Sequence, residues 1–168
     1  KARYLTTQAK DDPIEYVHNE IGYNYRLTNV QAAIGVAQME ILDSYIEKKR
    51  QIARRYKEAL QGISGITLPE SAPWASSTFW LYTVQIDHTQ YGLGSRDLMA
   101  KLAEEGIQSR PLWHPLHSLP PFKECTAYKV ECTDSLYQES LSLPCSVGLS
   151  PADQDRVIRA IFSAVKKK

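Results

Sequence analysis

Two short segments carry residue types that could handle a charged ligand. The first is Gly22-Tyr23-Asn24-Tyr25-Arg26. Side chains in an extended stretch alternate with period two, so Asn24 and Arg26 are expected on one face. An amide and a guanidinium side by side suit an anion. The plainer alternative is that Arg26 pairs with an acid and Asn24 holds a turn. The second segment is Arg110-Pro111-Leu112-Trp113-His114-Pro115-Leu116-His117. Prolines stiffen it, and it offers a guanidinium, an indole and two imidazoles. Such a loop can hold a sugar and its phosphates by stacking and charged hydrogen bonds, or it can be a packing loop with polar tips. His114 and His117 would suit a metal if a helix carried both. Pro115 stands between them and no carboxylate is near in sequence, so no metal is expected. The chain has no GxSxG, Walker loop or HExxH, so no motif completes a catalytic centre unaided.

The elements that must position these segments follow from pattern. Residues 1 to 26 lack a clear period; Asp11-Asp12-Pro13 marks a turn, and aromatic and polar residues cluster from Tyr16 to Arg26. Thr28 with Gln31 is a capping box. Val30, Ile34, Ala37 and Ile41 then recur at helical spacing, and the pattern runs on through Tyr45, Ile52, Tyr56 and Leu60 to Gly62 and Gly65. A helix of roughly 30 residues would be ~45 Å long and is expected to bridge two domains. Its first half is small-sided (Ala32, Ala33, Gly35, Ala37), while Glu47 to Lys57 reads as mostly solvated. Strands are expected at Ile66 to Pro69, Thr78 to Ile86, Ile107 to Leu112 and Leu141 to Cys145. Helices are expected from a Ser95 cap to Glu105, over Asp134 to Ser140, and after Ser150-Pro151-Ala152-Asp153, with Val157, Ile158, Ile161 and Val165 as the last one's buried stripe. This is an α/β arrangement, a long helix followed by a small sheet with helices packed on it.

Composition narrows the classes. Hydrophobic residues make up 43% and charged residues 23%, as in an ordinary globular chain. The net charge is +1 and the only dense basic run is Lys166 to Lys168, so nucleic acid is not an expected partner. No apolar run is long enough for a bilayer. The odd set Cys125, Cys132 and Cys145 has no CxxC spacing, which points to reduced thiols and a cytoplasmic protein. The chain opens at Lys1 inside amphipathic sequence, as a cut through a larger protein would.

The stretch His18-Asn-Glu-Ile-Gly-Tyr-Asn-Tyr-Arg-Leu-Thr-Asn-Val-Gln-Ala-Ala-Ile-Gly-Val-Ala-Gln closely resembles the sugar aminotransferases of the DegT/DnrJ/EryC1/StrS family. So do Ser109 to His117 and the ending Leu143-Pro-Cys-Ser-Val-Gly-Leu-Ser150. The resemblance spans essentially the whole chain. It implies the C-terminal part of the type I fold of pyridoxal-phosphate enzymes. Residues 1–26 would be a remnant of the large cofactor domain, 27–64 the bridging helix and 65–168 the small C-terminal domain. It also implies a homodimer that moves an amino group, usually from glutamate, to a nucleotide-linked keto-sugar.

Residue by residue, Asn24 resembles the asparagine that reaches the cofactor phosphate of the partner subunit. Arg26 is similar to a residue meeting the substrate's phosphates. His117 and Arg110 resemble nucleotide-sugar contacts, and His18 would border the same pocket. The family's cofactor-binding lysine would lie upstream of Lys1, because Lys1 and Lys10 sit too far downstream in the pattern; this chain alone is therefore expected to be inactive. Thr6-Thr-Gln-Ala-Lys10 together with Arg110-Pro-Leu-Trp113 resembles enzymes that aminate UDP-linked 4-keto-6-deoxy-N-acetylglucosamine. Thymidine- and guanosine-linked sugars stay open. So does a non-catalytic module that only binds a nucleotide sugar or dimerises.

Overall fold

In the computed structural model, which describes residues 1–12 and 14–164, Thr28 and Gln31 open the longest element. The Gln31 N–H donates to Thr28 Oγ1 at 3.3 Å, and the Thr28 N–H donates to Gln31 Oε1 at 2.9 Å. That reciprocal pair satisfies two donors the helix start would otherwise orphan. After a short α1 (Ala2–Thr6), helix α2 runs over Asn29–Leu60. The chain divides into two compact units, Lys1–Asp43 and Ser44–Lys168, with the division inside α2.

In the first unit, residues 22–25 lie antiparallel to residues 5–8. Tyr23 donates its N–H to the Leu5 carbonyl (2.7 Å), Gln8 to Tyr23 (3.0 Å) and Tyr25 to Thr6 (3.0 Å), around a Thr7–Asn24 bridge. Gly22 is required there: a Cβ would lie 2.2 Å from the Gln8 carbonyl carbon and 2.3 Å from the Ala9 nitrogen. Gln8 and Ala9 themselves hold left-handed backbone, φ 72° and 47°, which costs each about 1 kcal/mol and persists only where neighbours enforce it. Asp11 ties the adjoining loop, accepting from the Tyr4 hydroxyl and the Asn19 N–H, both at 2.8 Å. The Asn19 N–H and then the phenol hold its carboxyl below the ordinary value, while the same bond to Asp11 pushes the Tyr4 phenol up to about 12. Along the first half of α2, Val30, Ile34, Val36 and Met39 are exposed.

The second unit is a four-stranded antiparallel sheet with helices. The strands are β1 (Ile66–Thr67), β2 (Tyr82–Ile86), β3 (Arg110–Pro111) and β4 (Ser140–Leu143), in the order β1-β2-β4-β3. Tyr82, Val84 and Ile86 alternate inward along β2. The second half of α2 buries Ile52, Ala53, Tyr56 and Leu60. Helices α4 (Ser95–Glu104) and α6 (Pro151–Ala164) complete the core with Leu98, Leu102, Val157 and Ile161. Short α3 (His88–Tyr91) and α5 (Glu131–Glu139) lie between. Ser150 caps α6 through the Asp153 N–H at 3.1 Å. Among the described residues no helix is long and apolar enough to cross a membrane.

Several element expectations need correction. Glu47 to Lys57 is not mostly a solvated face, because Ile52, Ala53 and Tyr56 within it are core residues. Residues 78–81 are not strand: Phe79 turns to φ 48°, and the Trp80 carbonyl is taken by the Lys49 ammonium at 2.7 Å instead of a ladder partner. The strand expected over 107–112 shrinks to Arg110–Pro111 at the sheet edge, where a proline's missing N–H removes no ladder bond. Ser95 does not cap α4. Gly94 holds that position, and the buried Ser95 hydroxyl donates to the Gln138 carbonyl at 2.5 Å. Helix α5 starts three residues before the expected Asp134. Pro13, Val165 and the run Lys166 to Lys168 lie outside the described residues.

Candidate functional site

Asn24 and Arg26 follow Gly22 on the short ladder of the first unit. Tyr23 and Tyr25 stack at 5.4 Å and so share one face, which sets Asn24 on the other. Arg26 falls at a bend just past the paired residues. Both side chains are exposed. Among the described residues neither the Asn24 amide nor the Arg26 guanidinium has a hydrogen-bond or ion-pair partner, so the acid-paired alternative for Arg26 does not hold within them. The two groups are uncommitted donors, as an anion site requires. His18 is tied instead: its Nδ1 lies 2.8 Å from the Gln8 carbonyl, which closes the 8–18 loop and leaves only Nε2 outward-free.

The proline-rich segment belongs to the second unit. Arg110 sits on β3 opposite Ser142. It borders a cavity of about 420 Å³ lined also by Lys49, Trp80, Trp113, Pro144 and Cys145. Trp80 and Trp113 stack with centroids 5.7 Å apart and planes at 26°. The Lys49 ammonium donates to the Trp80 carbonyl (2.7 Å), the Cys145 carbonyl (2.6 Å) and Cys145 Sγ (3.2 Å). Its three protons are thereby used, so Arg110 is the cavity's free cation among the described residues. A guanidinium beside two indoles can pair with an anion while a planar or pyranose ring stacks.

The two imidazoles have different fates. His114 packs its ring 4.9 Å from that of Tyr137 and shares a 2.9 Å bond with the Ser118 hydroxyl. His117, on a 3-10 turn over Leu116–Ser118, is half-buried with Nε2 3.0 Å from Asp134 Oδ1. His117 is not among the residues lining the Arg110 cavity. Among the described residues no three His, Cys, Asp or Glu side chains converge as metal ligands do.

Sequence reasoning missed Lys49, Trp80, Cys145 and Asp134. Lys49 looked like one of several solvated helix lysines, and Asp134 stands 17 residues from His117. No local pattern signals either contact.

A sequence profile described as the DegT/DnrJ/EryC1/StrS aminotransferase family matches residues 1–162. The chain is 42% identical over 167 residues to a Bacillus subtilis protein named putative pyridoxal phosphate-dependent aminotransferase EpsN, covering 96% of this chain and 42% of that protein. It is 36% identical to the GDP-perosamine synthase of Caulobacter vibrioides, covering 96% and 43%. A crystal structure of a DegT DnrJ EryC1 StrS aminotransferase from Brucella abortus superposes with a TM-score of 0.78 at 30% identity, over 98% of this chain and 43% of that one. The chain thus spans about two-fifths of the length of these relatives. Over that span the fold is theirs: a C-terminal, type I arrangement of helices and a small sheet.

Proposed function

Because the chain belongs to the DegT/DnrJ/EryC1/StrS aminotransferase family, we propose that it is the C-terminal portion of a pyridoxal-phosphate-dependent nucleotide-sugar aminotransferase, working in the cytoplasm as a homodimer. The observation that carries this reading is the pair of uncommitted donors at Asn24 and Arg26, standing in a segment the family match includes. Pyridoxal phosphate and a nucleotide sugar are both anions; an amide donor fits the phosphate of the first and a guanidinium the phosphates of the second. When bound, the cofactor supplies the electron sink for moving an amino group.

In this reading Asn24 donates to the cofactor phosphate of a partner subunit, and Arg26 pairs with the substrate's phosphates. Arg110 and His117 contact the nucleotide sugar, and His18 borders the bound substrate through Nε2. Glutamate is the amino donor. The acceptor is a nucleotide-linked 4-keto-6-deoxy sugar, with UDP-4-keto-6-deoxy-N-acetylglucosamine favoured by Thr6 to Lys10 and Arg110 to Trp113. A second reading, a GDP-linked sugar, is favoured by the 36% identity to a GDP-perosamine synthase. The covalent cofactor lysine is supplied by residues outside this chain, so the 168 residues alone turn nothing over.

The test uses the full-length protein with pyridoxal phosphate. Adding glutamate should change its visible spectrum, and the UDP-linked keto-sugar should reverse the change; reversal by the GDP-linked sugar alone selects the second reading. An unchanged spectrum with glutamate, or Asn24→Ala that retains the cofactor as well as wild type, refutes the proposal. So does turnover by this chain in isolation.

A further inference from the structure

Helix α5 faces the proline-stiffened loop with two residues three positions apart, Asp134 and Tyr137, which helical geometry puts on one side. Asp134 meets His117 and Tyr137 meets His114. The helix is itself anchored. Arg96 of α4 donates to the Tyr137 carbonyl at 2.9 Å and the Ser140 carbonyl at 3.1 Å, with its guanidinium 5.1 Å from the Tyr137 ring centroid. Ser95 adds the 2.5 Å bond to Gln138. The carboxylate that reaches His117 is therefore presented by a fixed element, and the His117 side chain is 23% exposed.

We propose that Asp134 is a positioning residue for His117, setting which ring nitrogen the nucleotide sugar meets. This rests on the reading above that His117 contacts that ligand. An ionised carboxylate only accepts hydrogen bonds. The ring nitrogen facing Oδ1 is Nε2, so neutral His117 carries its proton there, and Nδ1 presents a lone pair. A lone pair accepts. The ligand group that pairs with His117 in this neutral form is then a donor, a sugar hydroxyl or an amide N–H, and not a phosphate oxygen. The logic matches that of any imidazole whose far nitrogen is held by a carboxylate: the partner fixes both tautomer and ring orientation. Within this unit phosphate recognition is left to Arg110, whose charge needs no tautomer.

The experiment pairs a spectroscopic and a kinetic readout in the full-length protein. Imidazole ¹⁵N shifts of ligand-free protein should place the neutral His117 proton on Nε2 with almost no Nδ1–H form, and Asp134→Leu should let the Nδ1–H form rise toward its share in a free histidine side chain. With UDP-4-keto-6-deoxy-N-acetylglucosamine as probe, losing one oriented hydrogen bond should raise KM about tenfold in Asp134→Leu with kcat held within about twofold. Asp134→Asn keeps an oxygen acceptor and should bring KM back to within about threefold of wild type. Adding Asp134→Leu to His117→Ala should cost nothing further, since the two act as one unit. A wild-type proton on Nδ1 overturns the proposal. So does an Asp134→Leu effect on kcat alone, or one that adds in full to His117→Ala. If His117→Ala leaves KM unchanged, the ligand contact itself falls, whereas the ligand-free tautomer still judges Asp134 separately.

Discussion

Replacing Tyr91 by phenylalanine should lower stability at neutral pH and soften its loss in alkali. Tyr91 ends α3, is 1% exposed, and donates its hydroxyl to the Ile161 carbonyl of α6 at 2.6 Å. Removing the donor leaves a buried carbonyl short of a partner, a loss of about 1–2 kcal/mol. Burial also pushes the Tyr91 phenol from 10.0 up to about 12. A raised acid favours the neutral form in the folded state. Its contribution is therefore complete below the unfolded value near 10 and is lost as pH climbs through about 12. Two pH units correspond to about 2.7 kcal/mol at most, and allowing for solvent screening the working figure is about 1–1.5 kcal/mol. Phenylalanine has no such proton to lose. The stability gap between the two proteins should thus be widest at about pH 7–9 and close as pH passes about 11. Urea unfolding followed by far-ultraviolet circular dichroism across that range measures it, with phenolate absorbance to mark ionisation. A gap that is zero at neutral pH, or constant up to about pH 12, would refute the reasoning. Tyr82, also pushed up to about 12 by burial, and Tyr56, pushed higher chiefly by burial, keep an alkaline limb in both proteins.

Gly22→Ala should open the first unit's ladder, because the new methyl would overlap the Gln8–Ala9 backbone. Overpacking of this kind costs about 1–3 kcal/mol. Faster amide exchange at Gln8, Tyr23 and Tyr25 is the expected signature, and exchange in the variant equal to wild type would count against it. The Asp11 and Asp87 carboxyls are held below 3.8, the first mainly by the Asn19 N–H and the second by the Thr89 hydroxyl and N–H. Depressed acids stabilise above the unfolded value near 4 and stop doing so as pH falls below it; carboxyl NMR titrations of both should show midpoints under the ordinary aspartate value. Under native conditions a disulfide-exchange reagent should modify the exposed Cys125 and Cys132 quickly, and the buried Cys145 only on unfolding. Three thiols reacting at one rate would contradict the burial of Cys145 under Lys49 and Trp80.

Local chemistry was legible wherever neighbours in sequence satisfy one another. The Thr28–Gln31 box and the Ser150–Asp153 cap are contacts over three residues, and both appeared as expected. The 3.6-residue period of α2 and the β-branched and aromatic composition around β2 were equally readable. Extents were not. Residues 78–81 have strand-like composition, yet a lysine 31 positions away takes the Trp80 carbonyl. Such an override depends on where α2 lies, which composition does not encode.

The site divides along the same line. The sequence by itself determined which groups are present: an amide and a guanidinium two residues apart, a guanidinium and imidazoles on a proline-stiffened loop, and motifs that resemble one family. It determined these because residue type and spacing set chemical capability and local geometry. Only the tertiary structure decided how each group is spent. It tied His18 to the Gln8 carbonyl, turned His114 onto Tyr137, gave His117 to Asp134 and consumed Lys49 in three bonds, while leaving Asn24 and Arg26 without partners among the described residues. The reason is physical: a side chain's remaining hydrogen-bonding capacity depends on distant residues that folding brings within about 3 Å, and that proximity is a property of packing, not of order along the chain.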